Sequence, residues 1–169
     1  MPDDPGQRRL RHGIGYALAR LGAVAHTYNH LDAGHHAALG YPCTAGPYVE
    51  LLRQAAPASG STPGNVHGVI ADTAEYFALH EPYFSAGDVV NGAPVHRSRW
   101  VDRNSYVVEL PFVHDLRAGL VDGGFPVGIG ALIGTSRNGW GGPARPSGPG
   151  PTTSVDAYVD GSRVDRCDA

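Results

Sequence analysis

Histidines and carboxylates are the side chains whose spacing invites chemistry in this sequence. Five of them crowd one stretch, His26, His30, Asp32, His35 and His36 in the run HTYNHLDAGHH. If a helix runs on through His30, then His26 and His30 stand four apart on one face, the spacing that lets two imidazoles share a zinc ion. His35 supplies a third ligand, with Asp32 or His36 as alternatives. A small metal-dependent hydrolase or lyase built on this set would keep an open position for water and take Glu75 or Glu81 as its base. Two features weigh against it. The shared face lies opposite the apolar stripe of the same helix, toward solvent or a partner, and no HExxH motif is present.

A second cluster comprises Asp72, Glu75, His80 and Glu81. Asp72 and Glu75 at i, i+3 suit an acid/base pair or a hard cation, and equally an exposed helix face. Other fragments fail on their context. Gly128-Ile129-Gly130 with Gly134 has no convincing helix after it, so it is a poor dinucleotide loop. Asp156 and Asp160-Gly161 resemble part of a calcium loop, but Tyr158 takes a ligand position and Cys167 stands where the bidentate Glu belongs. No GxSxG surrounds a serine, and Cys43 lacks a nucleophile signature. His96 to Arg103 mixes three arginines with Trp100, a phosphate-and-stacking combination. With a net charge of −3, nucleic acid is not the expected partner.

The elements that must position these groups follow from periodicity. Leu10, Ile14, Ala17, Leu18, Leu21 and Ala25 form one stripe at 3.6 residues per turn, which predicts an amphipathic helix over Gln7 to Ala25. Pro47 to Ala56 reads as a second helix, with proline in its first turn, and Ala71 to His80 as a third. Asn65 to Ile70 is a short strand. Ser105 to His114 alternates Tyr106, Val108, Leu110 and Phe112 on one face and is the strongest strand candidate, with Pro111 marking an edge or a bulge. That face is also the wall a small-molecule pocket would use. Phe125 to Ile133 is an apolar, glycine-rich strand. Asp160-Gly161 between two short apolar runs is the preferred hairpin turn. Helices first and strands later indicate an α+β domain with a mainly antiparallel sheet.

All thirteen basic residues among the 169 are arginine, with 24 glycines and 14 prolines, the mark of a GC-rich genome. That bias explains many glycines without any function. No apolar run reaches the roughly 18–20 residues that span a bilayer. Cys43 and Cys167 read as isolated thiols of a cytosolic chain, and Asp3, Asp4 and Arg20 argue against a signal peptide. Glycine and proline concentrate in 135–153, so the division is a single α+β domain over 1–134, a linker or arm over 135–153, and a terminal hairpin over 154–169. An arm of this kind cannot bury itself. Val155, Tyr158, Val159 and Trp140 are therefore expected to dock on a neighbouring subunit. The leading expectation is a non-enzymatic assembly subunit without cofactor, cytoplasmic or in a virus or phage particle, whose partners are copies of itself or other subunits. The zinc enzyme is the alternative.

Overall fold

The computed structural model describes residues 4–75, 77–135 and 145–163. Its centre is a three-stranded parallel sheet in the order β1-β2-β5. Strand β1 is His30–Asp32, β2 is Gly68–Ala71 and β5 is Gly130–Ile133. His30 pairs with Gly68 and Gly68 with Gly130, so the three strands run in step. The central strand, GVIA, is apolar throughout, as expected of a parallel strand covered on both faces. The sheet is parallel where the sequence indicated an antiparallel one. Parallel neighbours require long crossovers, and no local signal marks which distant segments will meet.

Helices fill those crossovers. Helix α1 (Pro5–Gly22) opens on Asp4, whose carboxylate accepts from the Gly6 amide, with Pro5 in the first turn. It stops three residues before the expected end. A Cβ at Gly15 would meet the Ala58 carbonyl oxygen at 2.4 Å, so this glycine is a packing requirement and not only codon bias. After β1 come the short α2 (His36–Leu39) and α3 (Pro42–Ala55), which begins earlier than expected because Pro42 takes the first turn and Pro47 is carried inside.

Ser105 to His114 is not a strand. Helix α4 occupies Glu109–Asp122, and Pro111 falls in its first turn, where no intrahelical donor is lost. The apolar positions that matter are Phe112, Val113, Leu116 and Leu120, which pack with Leu18, Leu52, Val69 and Phe125 in the main core. Of the alternating set, Leu110 is exposed. Nor is Ala71 to His80 a helix; β2 ends there and the chain turns away in bends.

A second, smaller core lies beside the first. The two-residue strands β3 (Val89–Val90) and β4 (Ala93–Pro94) form an antiparallel hairpin. Residues 154–163 are not a hairpin either: α5 (Val155–Ser162) is a helix capped by the Ser154 hydroxyl, which accepts from the Ala157 amide. Asp160-Gly161 sits in its last turn. Val159 is buried with Phe84, Val90, Val95 and Val101, and Val155 and Tyr158 pack against that cluster. The packing expected from a neighbouring subunit is thus supplied within the chain. The preceding segment is docked as well, since Tyr83 donates to the Pro146 carbonyl, Arg145 to that of His80 and Asn91 to that of Thr153. Trp140 lies outside the described residues. Among the described residues no helix is long and apolar enough to cross a membrane.

Candidate functional site

In a parallel sheet with helical crossovers, ligands bind beyond the carboxyl ends of the strands. Here β1 ends at Asp32, β2 at Ala71 and β5 at Ile133, and the chain leaves each strand under tight backbone control. The Asp72 amide donates to the Gly34 carbonyl at 2.7 Å, and the Gly134 amide to that of Ala71 at 2.9 Å. Gly34 and Asp72 both adopt left-handed backbone, with φ of 58° and 57°. Such strain in a non-glycine residue costs about 1–3 kcal/mol and clusters at functional sites. At Gly134 a Cβ would lie 2.5 Å from the Asp72 carbonyl oxygen, so the two loops touch.

Two carboxylates occupy this end of the sheet. Asp32 is exposed, and one of its oxygens accepts from the Gly34 amide at 2.8 Å. Asp72 is buried. The Tyr48 hydroxyl donates to the Asp32 carbonyl at 2.8 Å, and burial, then the Asp32 charge, push its phenol well above the ordinary value, so it remains a donor.

Two histidines follow immediately. His35 stacks on Phe77 at a centroid distance of 4.7 Å. His36 is buried, and its backbone amide and Nδ1 both reach the same oxygen of Glu109, at 2.9 and 2.5 Å. Asn104 donates to the His36 carbonyl at 2.9 Å.

Of the side chains singled out from the sequence, the structure brings Asp32, His35, His36 and Asp72 to one end of the sheet. It separates His26 and His30 from the proposed arrangement. Helix α1 ends at Gly22, His26 lies in a turn with φ of 61°, and His30 is in β1 with its ring against Gly68, so they share no helix face. Among the described residues no three His, Cys, Asp or Glu side chains are grouped to hold a metal ion. Glu75 and Glu81 lie in the segment after β2, and burial raises the Glu81 carboxyl against the lowering influence of the Tyr83 amide and Arg145. Tyr106 and Phe112, read as a pocket wall, meet edge to face at the main core. Tyr48, Phe77, Asn104 and Glu109 were missed. Glu109 stood inside an apparent strand, and only the recognition of a helix start there would have marked it.

The described structure superposes on the catalytic domain of Cellulomonas fimi Cel6B with a TM-score of 0.87 and 38% identity, over 92% of this chain and 35% of that one. The chain has the fold of a Cel6 catalytic domain, over part of its length. The sequence is 38% identical over 157 residues to exoglucanase A of Cellulomonas fimi, covering 92% of this chain and 18% of that protein. It is 30% identical over 120 residues to exoglucanase 3 of Agaricus bisporus, covering 71% of this chain and 24% of the relative. The Cel6A cellobiohydrolase II of Humicola insolens, solved with glucose and cellotetraose, shares the fold at a TM-score of 0.61 and 23% identity, over 83% of this chain and 34% of that one. No protein-family model matches the chain. It spans about a fifth to a quarter of the curated relatives it matches. These relatives are enzymes, and they overturn the expectation of a virus or phage assembly subunit: the Cel6 fold, and not a docking arm, accounts for the chain.

Proposed function

We propose that this chain forms part of the catalytic domain of an exo-acting glucan hydrolase and that its strand-end site faces the sugar chain. The observation that carries this reading is the 38% identity to an exoglucanase across 92% of the chain. The site's chemistry supports it. Glycosidic hydrolysis in its usual form works with a pair of carboxyl groups and water. Asp32 offers an exposed acceptor for sugar hydroxyls, His35 a ring nitrogen, and the left-handed turns at 34 and 72 hold them before substrate arrives. An insoluble polymer cannot enter a cell, so an enzyme of this class works outside it, against the cytoplasmic or virion setting expected from the sequence.

Calorimetric titration with cellotetraose, and release of soluble sugars from swollen cellulose, test the reading. Saturable binding that weakens tenfold or more in Asp32→Asn, with sugar release by the parent protein, is the expected result. A protein that neither binds cellotetraose nor releases sugar overturns it.

A further inference from the structure

We propose that Glu109 is a positioning residue whose single carboxylate sets the loops bearing the strand-end site; this rests on reading those loops as the glucan-binding face. The side chain is fully buried at the first turn of α4, and its Oε1 takes both hydrogen bonds from His36, the backbone amide at 2.9 Å and Nδ1 at 2.5 Å. With Glu109 ionised, Nδ1 is the nitrogen of His36 that carries the proton. The other oxygen, Oε2, is buried with no hydrogen-bond partner among the described residues, so the grip of the Glu109 carboxylate falls on the loop after β1.

The same helix start holds the loop after β2. The Glu109 amide donates to the Ala78 carbonyl at 3.1 Å and the Leu110 amide to that of Leu79 at 3.4 Å, which satisfies donors that a helix start leaves open. Phe77, next to that contact, lies against both His35 and His36, at 4.7 and 4.6 Å. Asn104 completes the clamp. It holds the His36 carbonyl, and its Oδ1 would stand 2.3 Å from a Cβ at position 40, so the turn closes only on Gly40. The α4 start therefore joins the loop after β1, which carries His35 just beyond Asp32, to the loop after β2, which begins at Asp72.

Energetics point the same way. A buried carboxylate carries a large desolvation penalty, and a well-packed apolar side chain would fill the space at lower cost. The helix N-terminus offsets part of that cost. What the carboxylate adds and an apolar group cannot is a fixed backbone position for His36.

The test compares Glu109→Met, which fills a similar volume without a strong acceptor, and the isosteric Glu109→Gln with the parent protein in three readouts: amide exchange over 33–40, the His36 imidazole proton by NMR, and cellotetraose affinity. The carbonyl oxygen of glutamine can still accept both bonds, as Oε1 does, without the charge. Expected in Glu109→Met are a cooperative unfolding transition, loss of the hydrogen-bonded His36 Nδ1 proton signal, exchange over 33–40 faster by tenfold or more, and tenfold weaker cellotetraose binding. Glu109→Gln should fall between Glu109→Met and the parent in each. If Glu109→Met retains parental exchange over 33–40 and parental affinity, with only its melting point lowered, the residue is merely structural and the proposal is overturned. If the parent itself does not bind cellotetraose, the glucan reading fails. Exchange and the imidazole signal then still decide whether Glu109 sets the loops.

Discussion

The core around the parallel sheet and the smaller core beside it solve the problem of buried polarity in opposite ways. Around the sheet the buried polar groups include an imidazole, two carboxylates and two amides (His36, Asp72, Glu109, Asn29 and Asn104). The contacts of Glu109 and Asn104 to His36 join segments 73 and 68 residues apart. In the smaller core the buried polar groups are two hydroxyls. Ser98 accepts from the nearby Val101 amide, and Ser162 donates to the Tyr158 carbonyl one turn back in α5 while accepting from Gly150. Polarity that is satisfied locally serves the helix or turn that carries it. Polarity satisfied across the fold fixes distant loops relative to one another, which is what a site made from several strand ends requires.

Cutting into the sheet core should have the largest effect. Phe112 is 1% exposed in the main cluster, and Phe112→Ala should cost about 3–5 kcal/mol in denaturant unfolding and lower exchange protection in both cores together. If the smaller core kept its protection, the two would be independent folding units. Val159→Ala should cost roughly 2 kcal/mol, from two lost methyl groups and the cavity they leave. Its consequence should be confined to faster amide exchange in α5 and the β3–β4 hairpin, with the strands unaffected. Loss of protection in β2 would erase the distinction between the two cores.

The smallest effect is an alkaline one. The Tyr106 phenol is raised to about 12 by burial first and then by its hydrogen bond to Asp115. A proton held more tightly in the folded state contributes stability that is complete below pH 10, the ordinary phenol value, and is lost as pH rises toward 12. Asp115→Asn should bring the Tyr106 titration, followed by ultraviolet absorbance, down toward 10 and narrow that window. An unchanged titration would leave burial as the only cause.

Some of this was legible in the sequence. The stripe from Leu10 to Leu21 marked α1, and the apolar runs ending at Ile70 and Ile133 marked β2 and β5. The strand orientation was not, because the register of His30 with Gly68 and of Gly68 with Gly130 is set by helices that intervene. Tyr106 to Phe112 satisfied a period of two by coincidence, while the helical set Phe112, Val113, Leu116 and Leu120 ran on beyond it. Asp160-Gly161 is a strong turn signal taken alone, and the Ser154 cap three residues ahead of Ala157 outweighed it. The clustering of Asp32, His35 and His36 was visible. Their relation to Asp72 was not, since it exists only once β1 and β2 pair. The histidine pair at i, i+4 was a spacing without a helix beneath it.

Asp72 adopts the backbone conformation that glycine favours and asparagine and aspartate tolerate, and its neighbour Gly34 does the same. That constraint reaches into how the chain can evolve. In a saturation library, position 72 should accept few replacements beyond glycine and asparagine, whatever charge or size the site would otherwise welcome. The repertoire of side chains at the end of β2 is narrowed by torsion angles before any sugar selects among them.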